Sequence, residues 1–231
     1  VYKYDRQLAC WMRSVRLMCP YNDERHIKFW KDQANINLPV LALATLELPD
    51  TPIAFTYRDC YNWQKIYEAM TGKQGYRLDV SRKMYLTPNE HFEKYMEFVK
   101  DIGATIVDMQ GKGRSIQSFY DGNPPSTTYI GGRPPPYVTR LVDYQTKSME
   151  KHNCFEEGPI VDWDENGPIR GKNDHPADVA DIHKKAGQAA TRYITHFNFK
   201  NNTKLLTELV KLYDTHNFTN KNVKWEKYNG A

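Results

Sequence analysis

The sequence predicts a soluble globular α+β protein, on three observations. An apolar stripe at helical spacing opens the chain. Near residues 87–109 a helix, a glycine turn and a strand follow one another. Around residue 137 a run of alternating side chains reads as a half-exposed strand. The 231 residues are about one and a half times the usual domain size. A single domain, 1–231, with long loops is expected, 175–231 being a candidate helical extension and two small domains the alternative. Hydrophobic residues make up 40% and charged residues 26%, which excludes a disordered chain. Sixteen tyrosines, nine phenylalanines and five tryptophans supply a large aromatic core. No apolar run approaches the roughly 18 to 20 residues of a membrane helix. The start, Val1-Tyr2-Lys3-Tyr4-Asp5-Arg6, has no signal-peptide apolar stretch, so no secretory signal is expected.

The first helix is predicted at 5–17. Leu8, Trp11, Met12 and Val15 recur at i, i+3, i+4 and i+7 and give one apolar stripe. The run 36–48 is apolar on both alternating faces near its middle. It reads as a central strand with Pro39 confined to its beginning. Residues 49–52 form a turn, and 61–70 a short helix closed by Thr71-Gly72. Thr87-Pro88-Asn89-Glu90 then reads as a capping box, with Thr87 as the cap and Pro88 at the first helical position. Phe92, Tyr95, Met96, Val99 and Ile102 form an amphipathic face. Gly103 suits the left-handed end of that helix, and 104–109 follows as a strand.

Residues 111–136, rich in Gly, Pro and Ser, read as a long loop or a hairpin with a mobile tip. A second strand is predicted at 137–146, with Val138, Arg140, Val142 and Tyr144 on one face. An acidic loop follows at 153–174. Pro176 opens a helix with Val179, Ile182, Ala186, Ala189, Tyr193 and Phe197 as its apolar positions. Leu205, Leu206, Leu209, Val210 and Tyr213 mark a last helix, and 221–231 a polar tail.

The net charge of +4 is modest, but its distribution is not. Residues 182–231 hold nine Lys/Arg against three Asp/Glu; residues 141–181 hold four against ten. Such segments either pair within the fold or meet between copies of the protein. Nucleic acid is not expected as a specific partner, because no concentrated basic face stands out. Cys10, Cys19, Cys60 and Cys154 have neither zinc-knuckle nor CxxC spacing and are expected to be reduced thiols. The N-x-T triplets at Asn201 and Asn217 are expected to be chance matches.

The best candidate for chemistry is 174–183, with Asp174, His175, Asp178, Asp181 and His183. It would serve a metal-dependent hydrolase, but eight residues of helix separate the two histidines by about 12 Å. The acids also suit a helix N-terminus. Asn173-Asp174-His175, and Asp178 with His183, resemble fragments of lipase-like esterases, yet no nucleophile elbow accompanies them. Cys154 near His152 sits in an acidic loop that disfavours a thiolate. Gly111-Lys112-Gly113-Arg114-Ser115 suggests a phosphate loop at first sight. It lacks the third glycine of a dinucleotide fingerprint and the ending of a Walker loop, so it reads as a basic turn after a strand. Trp11, Trp30 and Trp63 would stack bases only if exposed, and Trp11 falls on the apolar stripe. No cofactor, metal or catalytic residue is therefore expected.

Three stretches resemble one family, the tail-completion proteins of tailed bacteriophages (tail terminators and tail-sheath stabilisers). They are the opening helix at Tyr4 to Met12, the run Leu38-Pro39-Val40-Leu41-Ala42-Leu43 with its turn at Leu48-Pro49-Asp50, and the Pro-led run from Pro135 to Lys147 followed by Met149-Glu150-Lys151-His152-Asn153. The similarity covers about a third of the chain. Arg58 comes later than the family's arginine, and 150–231 has no counterpart. The resemblance implies an α+β fold with a mixed or largely antiparallel sheet flanked by helices. It also implies a non-enzymatic virion protein, made in the host cytoplasm, forming a ring of six that caps the tail tube or sheath and joins it to the neck. Head-to-tail contacts of that kind close into rings. The expected contact surfaces are 133–147, with Arg133, Tyr137, Arg140, Tyr144 and Lys147, and the acidic loop with Glu156, Glu157, Asp162 and Asp164. The acidic loop would meet a basic tail with Lys221, Lys224 and Lys227. A metal-dependent hydrolase at 174–183 and a basic nucleic-acid-binding module are the alternatives.

Overall fold

The computed structural model describes residues 1, 3–133, 136–146, 149–153, 155–173 and 175–215. Asp5 accepts a hydrogen bond from the Leu8 amide at 2.9 Å and caps α1 (Arg6–Leu17). The predicted stripe of Leu8, Trp11, Met12 and Val15 is buried. Trp11 Nε1 donates to the Ala190 carbonyl at 2.9 Å, which satisfies the one polar atom of a buried indole. Next, α2 (Glu24–Asp32) runs through a π-helical turn (Gln33–Asn37) into α3 (Leu38–Thr45). The 36–48 run is thus helical, not the central strand expected. Every residue of α3 is buried, so it is apolar all round and shows no helical period. Pro39 carries no N–H for an ordinary helical bond, and the wide turn lies directly before it.

The remaining elements are β1 (Ile53–Thr56), α4 (Tyr61–Thr71), β2 (Tyr76–Leu78), α5 (Arg82–Leu86), α6 (Glu90–Asp101), β3 (Thr105–Gly111), α7 (Arg114–Phe119), β4 (Thr127–Gly132), β5 (Val138–Arg140), β6 (Ile160–Asp164), β7 (Gly167–Arg170), α8 (Ala177–Thr191) and α9 (Thr203–Thr215). Five strands form one sheet in the order β2-β1-β3-β4-β5, every pairing parallel. β6 and β7 make a separate antiparallel hairpin. The fold is therefore α/β, which overturns the expected α+β fold with a mixed or largely antiparallel sheet. Parallel neighbours require crossovers, and helices supply most of them here.

Several local expectations hold. Gly72 (φ 69°) and Gly103 (φ 64°) take the left-handed conformation where the helices end. α8 and α9 occupy the predicted stretches, with Val179, Ile182, Ala186, Ala189 and the α9 stripe buried. Tyr193 and Phe197 fall beyond the end of α8. Others shift. Asn89, not Thr87, caps α6, its Oδ1 accepting from the Phe92 amide at 3.0 Å. The predicted loop 111–136 contains α7 and β4, and the acidic loop contains the β6–β7 hairpin. Of the predicted strand 137–146 only Val138–Arg140 is strand. The polar tail lies outside the described residues.

Both faces of the sheet are covered. Phe55, Val107, Met109 and Ile130 join the core built by α1–α4, α8 and α9. Ala54, Leu78 and Ile106 join the core built with α5, α6, α7 and β6. This is why β1 and the start of β3 read as short apolar runs rather than as clean alternation. Alternation along β3 sets Asp108 and Gln110 on the same face as Ile106. Among the described residues no helix is long and apolar enough to cross a membrane.

Candidate functional site

From β1 the chain crosses to β2 on one side, and from β2 it returns past β1 to β3 on the other. The two loops therefore leave the sheet in opposite directions and open a crevice at the carboxyl ends of β1 and β3, the usual ligand position in such sheets. A cleft of about 830 Å³ lies there. Thr56, Asp108, Gln110 and Tyr129 form its floor on the sheet. Ser81, Arg82 and Tyr85 come from the start of α5, Gly111 to Ile116 from the β3–α7 turn, and Gly158, Pro159, Ile160 and Arg170 from the hairpin. Gly113, at φ 66°, lets the chain turn into α7, and its carbonyl accepts from Tyr137 Oη at 3.0 Å.

Asp108 stands directly opposite Tyr129 in the β3–β4 register. One carboxylate oxygen accepts the Met109 amide at 2.7 Å. Burial is the main cause that raises the Asp108 pKa well above the ordinary carboxylate range, and the nearby negative charges of Asp59 and Glu150 add to it. Asp108 is thus biased toward its protonated form at the floor of the cleft. Burial and Asp108 also raise the Tyr129 phenol.

One wall is locked by charge. The Arg77 guanidinium lies 3.3 Å above the centre of the Tyr57 ring, and that of Arg170 lies 5.3 Å from it. Glu157 takes Arg77 Nη2 at 2.8 Å, Arg170 Nε at 2.7 Å and Tyr57 Oη at 3.2 Å. Asp79 binds the same two arginines. Arg82, Lys112 and Arg114 line the mouth, are exposed, and form no ion pair among the described residues. Arg58, at the left-handed φ of 85°, pairs with Asp59 at 3.6 Å. The site thus offers cations at the rim, a carboxyl with a raised pKa on the floor, and aromatic and aliphatic walls.

The candidates from the 174–183 segment do not come together at this cleft. Asp178 pairs with His26 Nε2 at 3.1 Å, and Asp181 accepts from Tyr21 Oη and Lys185 Nζ, each at 2.8 Å. His183 is buried, and its carbonyl accepts from Asn62 Nδ2 at 2.8 Å. Among the described residues no three His, Cys, Asp or Glu side chains are grouped as a metal site requires. Trp11, Trp30 and Trp63 are all buried. Cys10, Cys19 and Cys60 are unbridged, and burial pushes the Cys60 thiol pKa up.

Of the expected contact residues, Arg140 pairs with Asp143 at 2.9 Å and Tyr144 Oη donates to Asp214 at 3.0 Å. Arg133 borders a small cavity beside the cleft. Glu156 pairs with Lys184 at 2.7 Å, and Glu157 belongs to the arginine wall. Asp162 accepts from Asn89 at 3.0 Å, and Asp164 from the Asn166 amide at 2.8 Å. Lys147, Cys154, Asp174, Lys221, Lys224 and Lys227 lie outside the described residues. The residues that sequence reasoning missed are Asp108, Gln110 and Arg82. The visible signal is Gly111-Lys112-Gly113-Arg114-Ser115, an incomplete phosphate-loop motif that lines the crevice. The chain matches no protein-family model and no curated protein sequence.

Proposed function

We propose that the protein is an enzyme that binds a small phosphorylated molecule in the switch-point cleft, with Asp108 as proton donor. The observation that carries this is a crevice at the strand ends whose mouth is lined by three exposed cations with no ion pair among the described residues, above a floor carboxyl whose pKa is raised. Arg82, Lys112 and Arg114 would take the phosphate, a guanidinium matching two of its oxygens at once. Asp108 would protonate the group that leaves or becomes an alkoxide. The test is calorimetric titration of the full chain with pyrophosphate at low salt, for wild type, Arg82→Ala and Arg114→Ala. Binding that falls about fivefold or more in each variant is expected. Absence of binding by the wild type would sink this reading.

A ring-forming tail-completion subunit is the second reading. The observation in its favour is that β5, within the expected contact surface, is an edge strand with Thr139 and Arg140 exposed. Six copies would then associate with one another and with other tail or neck proteins. Solution mass from light scattering, at low and high salt, tests it: a mass near six copies supports a ring, and a monomer that also fails to join purified tail tubes rejects it.

A further inference from the structure

We infer that Tyr85 and Tyr129 hold a carbonyl group of the ligand on the floor of the cleft, each donating its hydroxyl proton to it. The inference rests on the phosphate-binding reading above and narrows the ligand to a phosphorylated aldehyde or ketone. Tyr129 is on β4, opposite Asp108 on β3, and Tyr85 is on α5; all three line the cleft. Neither phenol has a hydrogen-bond partner among the described residues, and neither hydroxyl is among the fully buried polar atoms that lack one. Both hydroxyls therefore keep surface that a ligand can touch. The phenols around them are satisfied within the fold. Tyr95 donates to the Arg77 carbonyl at 3.1 Å, Tyr120 to the Met96 carbonyl at 3.1 Å and Tyr137 to the Gly113 carbonyl at 3.0 Å. The two that stay open are the two on the cleft floor.

Packing of the rings fixes where the hydroxyls stand. The Tyr85 ring lies 5.7 Å from the rings of both Phe92 and Phe119. The Tyr129 ring runs along the sheet to the end of β3, where a Cβ on Gly111 would stand 3.3 Å from the ring and 3.5 Å from its hydroxyl. Lys112 and Arg114 follow Gly111 in the same turn. A phosphate on these cations and a group on the Tyr129 hydroxyl need therefore be only a few bonds apart. Burial raises both phenol pKa values, so both remain proton donors at neutral pH. Their ligand group must then accept. Asp59 and Glu150 also border the cleft, and their charge disfavours a second anion on a floor without a cation. A carbonyl oxygen accepts without charge, has no proton of its own, and offers one lone pair to each phenol.

The experiment is calorimetric titration of the full chain with dihydroxyacetone phosphate and glycerol 3-phosphate, which differ only in a ketone against an alcohol. It uses wild type, Tyr85→Phe, Tyr129→Phe and Arg114→Ala. Wild type should bind the ketone about tenfold more tightly than the alcohol. Each Phe variant should cut that preference to about threefold or less, leave affinity for the alcohol within about twofold, and melt within about a degree of wild type, since ring packing is kept and no hydrogen bond of the fold is lost. The infrared stretch of the bound carbonyl should lie at lower wavenumber than in water and move back up in each Phe variant. Arg114→Ala should weaken both ligands alike. Equal affinities in wild type, or a preference and a carbonyl stretch that either Phe variant leaves unchanged, would overturn the inference while leaving phosphate binding intact. Failure of both ligands to bind, or binding that Arg114→Ala leaves unchanged, would overturn the underlying reading as well. A Phe variant that melts several degrees lower would show that its hydroxyl serves the fold, and would overturn its role in binding.

Discussion

Asn37 and Asn153 exchange two amide hydrogen bonds, each 3.0 Å, although 116 residues separate them in the chain. Both are fully buried. The pair is the centre of a larger network: Asn37 Nδ2 also donates to Gln33 Oε1 at 2.8 Å, Tyr213 Oη donates to Asn37 Oδ1 at 2.6 Å, and Asn153 Nδ2 donates to the Met149 carbonyl at 2.9 Å. It ties the π-helical turn, the segment after the sheet and α9 into one unit. Removing Asn37 takes a partner from the buried Gln33 Oε1, Asn153 Oδ1 and Tyr213 Oη at once, which costs more than the bonds themselves contribute. Asn37→Ala should lower stability by about 2–4 kcal/mol, read from urea unfolding. A loss under about 0.5 kcal/mol, the range of ordinary surface changes, would refute the network's role.

Gly187 sits inside α8 against α4. A Cβ there would lie 2.0 Å from Asn62 Oδ1, and Asn62 is fully buried and bonded to the His183 carbonyl. Helix propensity alone favours alanine by about 1 kcal/mol. Overpacking against a fixed side chain costs typically about 1–3 kcal/mol and more with such an overlap, so the clash wins. Gly187→Ala should destabilise by roughly 2 kcal/mol. The pair Gly187→Ala with Asn62→Ala should recover part of the loss in thermal melts, and a fully additive pair would contradict the contact.

The raised pKa of Asp108 has a definite sign in stability. The folded state holds the Asp108 proton more tightly than the unfolded chain. This contribution is therefore nil below the unfolded pKa, and destabilisation grows as pH rises from there through the folded pKa. Asp108→Asn keeps the shape and removes the titration. Its melting temperature should match wild type near pH 4 or below and exceed it at pH 7, on the order of a few degrees. It should also lose turnover of any substrate that needs the proton. A gap between the two proteins that is constant across pH would remove the assignment.

Glu157 holds the hairpin to the sheet through Arg77 and Arg170. Glu157→Ala leaves the two guanidiniums beside each other without that carboxylate. Because the carboxylate side chain is 32% exposed, water screens part of the effect. A loss of about 1 kcal/mol is expected, concentrated in faster hydrogen exchange at 160–170. Unchanged exchange there would show that packing of Ile160 and Trp163 alone retains the hairpin.

Helices with one apolar stripe and a polar back were legible from sequence because a 3.6-residue period survives only where one face meets water. The Leu8 to Val15 stripe, the Leu205 to Tyr213 stripe and the glycine stops at Gly72 and Gly103 belong here. Elements buried on every side were not legible. The run at 38–45 shows no period, since all eight of its residues are buried, and composition alone does not tell helix from strand there. Strand direction was equally hidden: β4, Thr127–Gly132, reads as loop from its glycines and becomes an inner strand only between β3 and β5. What the sequence by itself determined is therefore the amphipathic surface helices, their glycine stops at Gly72 and Gly103, and the charge polarity. Tertiary structure alone decided the parallel order, and with it the cleft. Asp108 and Gln110 lie on β3, Arg82 on α5 and Arg114 on α7, and only the crossover from β2 past β1 to β3 brings these elements to one crevice. No local signal specifies that crossover, because it arises from burying both faces of one sheet at once.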